Sequence, residues 1–279
     1  MSYTSLDVSI ENHIAHVKLN RPEAMNAMNV DFWQELPVAI REINDGSEAR
    51  VIVLSSTGKH FSAGMDLAVF TSPNNIPSQG DPARIAENLR RVVLQLQDAF
   101  NVLEDARIPV LAAIQGGCIG GAVDMISACD SRYCTEDSFF TIKETQLGMT
   151  ADLGTMQRLP QLIPQGLMRE LAYTGRKFDA AEAKDMGLVN KVYATQEQML
   201  DGVMTIAKEI ALQSPMAVAG CKEMINYSRD HSVADSLKYM ATWQSGMFRP
   251  QDMMKCFAAK AQKTEPEFEP LLPVKALFT

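Results

Sequence analysis

Three carboxylates sit in stretches of this sequence that are otherwise largely apolar: Asp124 in GGAVDMISAC, Glu144 in FFTIKETQLG and Asp152 in MTADLG. A carboxylate removed from water must be paired, protonated or functional. One such Asp alone is more often a satisfied structural group. Three around one cleft would push one another's pKa values up, which suits proton exchange near neutrality. Two glycine turns offer a second kind of chemistry. The segments VIVLSSTGKHFSAGMDL and VLAAIQGGCIGGAVDM each read as buried strand, glycine turn and helix start. Amides at a helix start have no intrahelical acceptor, and the helix dipole adds positive potential there. If the turns converge, the N–H groups of Met65 and Gly121 can hold one oxyanion between them. Taken singly, the glycines read rather as close-packing residues. Neither GxxxxGK nor GxGxxG occurs here, which excludes a phosphate loop and a dinucleotide turn. Asp66 in AGMDL and Asp130 in ACDSR read as turn or cap residues, and Lys59 and His60 as a solvated loop edge.

The elements that must position these groups follow from periodicity. Leu6, Val8 and Ile10, then Ala15, Val17 and Leu19, alternate about a polar break at Glu11-Asn12, a hairpin signal. A helix follows with Phe32, Leu36, Ile40 and Ile43 on one face, Pro37 as a candidate kink and Asp45-Gly46 as its stop. Residues 51–54 and 110–114 are continuous apolar runs of strand length, consistent with burial on both faces. Residues 71–80 read as loop. Asp81-Pro82 opens a long helix with the stripe Ile85, Leu89, Val92, Leu96, Phe100 and Leu103. The strand–turn–helix unit occurs twice, a weak internal repeat that predicts an α/β fold of parallel strands wound in layers. After Tyr193 the chain turns helical. Thr195 and Gln198 fit a capping box before Met199, Val203, Ile206 and Ile210, and helices are expected around 215–227 and 231–247.

Composition narrows the partners. A net charge of −8 argues against nucleic acid or an anionic membrane, which reward clustered Lys and Arg. Five cysteines without CxxC spacing read as buried, reduced thiols, and four histidines without paired spacing make a zinc site unlikely on this reading. The longest uncharged run, 108–123, falls short of the ~20 apolar residues that a membrane helix needs. The first twelve residues carry Asp7 and Glu11 but no Arg or Lys, and the last three are Leu277, Phe278 and Thr279, not a peroxisomal tripeptide. A soluble, cytoplasmic protein is the expectation.

KHFSAGMDL, IQGGCIGGAVDMISACDSRYCTEDSFFTIKE, GTMQRLPQLI and AYTGRKFDAAEAKDMGLVNKVY resemble, in this order, the signature stretches of the crotonase superfamily of enoyl-CoA hydratases and isomerases. The resemblance runs from Val8 to about Asp252. It implies a crotonase-like spiral of repeated ββα units over 1–199 and a C-terminal α-helical oligomerisation region over 200–279. It also implies a homotrimer or dimer of trimers, an acyl-CoA thioester substrate and no cofactor beyond the substrate's own CoA. The thioester oxygen would rest on the amides of Met65 and Gly121, with the CoA part along Ala63, Gly64, Met65, Asp66 and Leu67.

Within the superfamily, Asp at 124, Glu at 144 and a further Asp at 152 resemble the dienoyl-CoA isomerase branch, where hydratases carry Glu at both of the first two places. ISACDSRYCTEDSFF and YSRDHSVADSLKYMATW point the same way, whereas Ala122 departs from that branch's third glycine. This implies a 3,5-dienoyl to 2,4-dienoyl shift in fatty-acid β-oxidation, with Glu144 as base near C2, Asp124 as acid near C6 and Asp152 tuning or orienting Glu144. Two rivals stay open: a hydratase adding water to a 2-enoyl thioester, and a noncatalytic scaffolding oligomer.

Overall fold

The structure is a computed structural model that describes residues 3–71 and 80–275. Most of the loop read at 71–80, and the C-terminal tripeptide, lie outside those residues.

Strand β1 (Leu6–Glu11) turns through Asn12 and His13, both at positive φ, into β2 (Ile14–Leu19), the hairpin expected from the alternation. Helix α1 (Val30–Asp45) starts on Asn29, whose side chain accepts from the Phe32 amide, and runs through Pro37 to its cap at Gly46. Strand β3 (Val51–Ser56) leads to α2 (Leu67–Thr71), and α3 (Pro82–Asp105) is capped by Asp81 as its sequence predicts. Then come β4 (Val110–Ile114), β5 (Gly117–Ile119), α4 (Gly121–Ser127), β6 (Ser131–Thr135) and β7 (Phe139–Thr141). Helices α5 (Thr155–Leu162) and α6 (Gln165–Thr174), strand β8 (Phe178–Asp179), α7 (Ala180–Asp185) and β9 (Lys191–Tyr193) complete the α/β part. Four helices follow: α8 (Gln196–Ala211), α9 (Pro215–Tyr227), α10 (Val233–Met247) and α11 (Pro250–Gln262). The sequence reading had not separated the last of these.

One sheet runs β1-β2-β3-β4-β6-β9, parallel except for the β1–β2 hairpin, and a second runs β5-β7-β8. The chain steps from the first sheet to the second and back by a helix, so strand pairs and helices wind as a spiral. Alternation then divides the core. Val17, Leu19, Ile52, Leu54, Ala112 and Ile114 face α1, α4 and the end of α3. Ile14, Val51, Val53, Leu111 and Ala113 face α8 through Met199, Val203 and Ala207. Two-sided burial explains the unbroken apolar runs at 51–54 in β3 and 110–114 in β4.

Two expectations need correction. The α3 stripe is buried only from Phe100 and Leu103; Leu89 is 43% exposed, because the N-terminal half of α3 extends beyond the core. Of the five cysteines, all free, Cys118, Cys129 and Cys134 are buried but Cys221 and Cys256 are exposed, since α9 and α11 stand at the surface.

A buried cation ties the helical region to the α/β part. Lys222 on α9 donates to the Leu103 and Ile108 carbonyls at 3.0 and 3.2 Å and to Asp130 at 2.8 Å. Asp130 also accepts from the Val110 amide, so it caps the start of β4. Lys222→Met strands the Leu103 and Ile108 carbonyls, while Asp130 still reaches solvent, and should cost ~1–3 kcal/mol of stability. Urea unfolding measures it; a loss below about 1 kcal/mol would class the pair with ordinary surface ion pairs.

Candidate active site

The first glycine turn is held from below by a residue that its sequence spacing did not single out. Asn26 is buried and left-handed (φ 52). Its amide donates to the Thr57 and His60 carbonyls at 2.7 and 3.0 Å, and its oxygen accepts from the Arg21 amide. Ser62 donates to the Asn26 carbonyl and accepts from the Gly64 amide. The Met28 amide donates to the Gly64 carbonyl at 2.8 Å, and the Asp66 amide to the Met28 carbonyl at 3.1 Å. In such a parallel bridge the residue between, Met65, turns its N–H the other way. Its amide has no acceptor among the described residues.

That amide faces the second turn. Gly121 opens α4, and its N–H likewise has no acceptor among the described residues. A Cβ added to Gly121 would lie 3.9 Å from the Met65 nitrogen; one added to Gly64 would lie 3.4 Å from the Gly121 nitrogen. The turns approach this closely because Gly64 (φ 83) and Gly120 (φ 55) adopt backbone conformations that other residues rarely tolerate. Two unpaired amides therefore lie side by side, the arrangement that can stabilise an oxyanion.

The carboxyls gather beside them. A Cβ on Gly120 would lie 3.0 Å from Glu144 Oε1. Glu144 is only 9% exposed, and its Oε2 is buried with no hydrogen-bond partner. Burial, reinforced by the charge of Asp124, pushes its pKa up to about 7. Asp124, on α4, is 1% exposed, and its Oδ1 accepts from the Thr155 amide at 2.7 Å. Burial raises its pKa to about 6, with Asp152 adding to the rise and hydrogen bonds from Thr155 opposing it. Asp152 is half-buried and raised by burial. The three carboxyls picked from the sequence thus share one electrostatic cluster. Among the described residues no group of His, Cys, Asp and Glu is placed to hold a metal ion.

The chain from Ala63 to Leu67 leads outward from the amide pair: Gly64 is buried, Ala63, Met65 and Asp66 half-buried and Leu67 68% exposed. Asp66 accepts from the Ala68 amide and meets Arg21, the turn role expected of it. Lys59 is exposed, but His60 is not a free loop edge: its Nδ1 accepts from the Gly117 amide at 3.0 Å and its ring meets Phe139 edge-on. Sequence reasoning missed Asn26, Ser62 and Thr155, since nothing in a polar residue's spacing reveals a backbone partner far along the chain.

With this geometry in hand, similarity to known proteins is informative. The profile of the enoyl-CoA hydratase/isomerase family matches residues 9–270. A mouse (Mus musculus) protein named mitochondrial Delta(3,5)-Delta(2,4)-dienoyl-CoA isomerase is 47% identical over 266 residues, 95% of this chain and 81% of the relative. A peroxisomal isomerase of the same name from Arabidopsis thaliana is 43% identical over 274 residues, covering 97% of this chain and 99% of the relative. The crystal structure of an enoyl-CoA hydratase from Bacillus anthracis superposes with a TM-score of 0.83 at 28% identity, covering 98% of this chain and all of the other. These names overturn the cytoplasmic expectation, because the relatives are mitochondrial or peroxisomal. Net charge and a terminal strand describe a folded domain, whereas an organelle address is read from short segments by receptors. Among the described residues no helix is long and apolar enough to cross a membrane. A family profile that spans nearly the whole chain and relatives above 40% identity, joined to a shared spiral fold, establish that this chain belongs to the enoyl-CoA hydratase/isomerase family.

Proposed function

We propose that this chain converts 3,5-dienoyl-CoA to 2,4-dienoyl-CoA. The observation that carries the reading is the carboxyl cluster: Glu144 with a buried, partnerless Oε2 and a pKa near 7, beside Asp124 and Asp152. The relatives that are 43–47% identical bear the isomerase name, while the hydratase structure lies at 28%.

The thioester oxygen accepts from the Met65 and Gly121 amides, which acidifies C2 by stabilising the dienolate. Glu144 removes the C2 proton; Asp124 delivers one to C6. The double bonds move along the chain, and each carboxyl ends in the opposite protonation state, so a proton must return between them before the next turnover. With Glu144 raised to about 7 and Asp124 to about 6, the returning proton favours Glu144, so resetting Asp124 costs about 1.4 kcal/mol, small beside a catalytic barrier. Asp152 adds negative charge that keeps its neighbours' pKa values high. No cofactor enters this scheme beyond the substrate's own CoA, whose path follows Ala63, Gly64, Met65, Asp66 and Leu67. Assembly as a trimer or pair of trimers would cover exposed Ile225, Val233, Leu237 and Phe257 on the C-terminal helices.

A panel of acyl-CoA thioesters followed by diene absorbance tests the reading. Appearance of the conjugated 2,4-diene from the 3,5-dienoyl substrate is expected. Predominant hydration of 2-enoyl-CoA would replace it with the hydratase. If Asp124→Asn and Glu144→Gln left turnover of every thioester untouched, the catalytic reading of these two residues would fail; a wild type that turned over none of them would leave the scaffolding role.

A further inference from the structure

The geometry points to Arg158 as a positioning residue that, with a stripe of α3, clamps the turn carrying Asp152 and the Thr155 amide that holds Asp124. The inference rests on the proposed isomerase reading and deepens it.

Gln97, Asn101 and Glu104 fall on one face of α3, at helical spacing. All three face the turn between Asp152 and Arg158. Gln97 Nε2 donates to the Asp152 carbonyl at 2.7 Å. Arg158 Nη2 donates to Asn101 Oδ1 at 2.7 Å, and its Nε and Nη2 donate to Glu104 Oε2 at 2.9 and 2.7 Å. Its Nη1 reaches back to the Leu153 carbonyl at 3.4 Å. The guanidinium lies where a Cβ on Gly154 would be, so that glycine (φ 130) lets the cation lie against the turn's backbone. Burial would raise the pKa of Glu104, but Arg158 and Arg229 outweigh it and hold the carboxyl ionised. Arg229, just past α9, meets the other Glu104 oxygen, and Asn226 donates to the Glu104 carbonyl at 3.1 Å, so the helical region braces the clamp from outside.

The clamped turn begins with Asp152 and ends with the Thr155 amide that holds Asp124 Oδ1. A fixed turn therefore fixes both carboxyls against the substrate chain. The charges that reach Asp124 are Asp152 and Arg158, and the charge of Asp124 in turn reaches Glu144. Arg158 touches no reacting atom in this scheme. It acts through the turn, and a planar fork bonded to two side chains and a carbonyl does so with a definite geometry.

The test compares wild type with Arg158→Gln, Arg158→Lys and Gln97→Ala, each checked for folding by circular dichroism. Kinetics on 3,5-dienoyl-CoA are paired with carbon-13 NMR titration of labelled Asp carboxyls. Arg158→Gln should lose about 100-fold in kcat, the scale of a misplacement near 1 Å, with KM little changed. The Asp124 midpoint should rise as the cation leaves. Arg158→Lys keeps the charge without the fork and should restore the midpoint but only part of kcat. Gln97→Ala, at a half-buried position of the stripe, should lower kcat to a lesser degree. Folded variants with wild-type kcat and unchanged midpoints would overturn the clamp. Should Arg158→Gln not fold, unchanged kcat in both Arg158→Lys and Gln97→Ala would overturn it equally. A wild type inactive on the dienoyl thioester would sink the isomerase reading instead. The titration then decides the clamp alone: a shifted Asp124 or Asp152 supports it, and unmoved midpoints end it.

Discussion

Glu144→Gln should lower kcat on 3,5-dienoyl-CoA by about 10²–10⁴, the usual worth of a general acid or base, and at the same time make the protein more stable above neutrality. The two effects have one cause. Burial and the charge of Asp124 raise the Glu144 pKa to about 7, so holding the carboxylate ionised inside the fold costs free energy. The sign follows from linkage. A carboxyl whose folded-state pKa is raised leaves stability intact below its unfolded pKa, and that stability drains away as pH rises through about 7. A shift of this size corresponds to about 3 kcal/mol once the group is fully ionised. Gln is neutral throughout and keeps the shape. Wild type and variant should therefore differ little in urea unfolding at pH 4.5 and diverge by pH 8.5, with the variant the more stable. A gap of the same size at both pH values would show that Glu144 carries no raised pKa, and the proton-exchange role would lose its physical basis.

That trade-off also explains which parts of the site were legible in the sequence. A carboxylate in an apolar stretch is visible because it contradicts its surroundings, and Asp124 and Glu144 did so. The glycine turns were visible because each follows a strand buried on both faces, VIVLSS and VLAAI, whose apolar runs are unambiguous. Helix starts at Asp81 and Thr195 were visible through cap chemistry that acts within a few residues. Asn26, Thr155 and Arg158 were not visible. Each works through partners brought together by the spiral: Asn26 with Thr57 and His60, Thr155 with Asp124, Arg158 with Glu104. No local pattern marks a polar residue whose partner lies on another element. The exposed half of α3 misled for a related reason: an apolar stripe says which face of a helix is apolar, not how far the core beneath it extends.

The second large effect concerns the amide pair, and Gly64→Ala probes it without touching any titratable group. Gly64 has φ 83, and a Cβ there would lie 2.5 Å from the Ile119 carbonyl oxygen and 3.4 Å from the Gly121 nitrogen. Both are backbone atoms of the second turn, so relief requires one turn to move away from the other. Left-handed strain alone accounts for ~1–2 kcal/mol in stability. Separation of the turns is the greater penalty for catalysis. Loss of one amide from an oxyanion hole typically lowers kcat about 10²–10³-fold. Gly187→Ala isolates the two contributions: Gly187 has φ 89, but the nearest atom to its added Cβ, the Leu162 carbonyl oxygen, is at an ordinary 3.5 Å. In urea, Gly187→Ala should lose only the stability that left-handed strain costs, Gly64→Ala more because the overlap adds to it, and only Gly64→Ala should lose turnover. A folded Gly64→Ala enzyme with wild-type kcat would mean that the thioester oxygen does not rest on these amides, and the enolate chemistry built on them would have to be placed elsewhere. In the proposed scheme the carboxyl cluster can act on C2 and C6 only if the carbonyl end of the thioester is pinned. The amide pair would then be the reference point from which Glu144 and Asp124 take their separate roles.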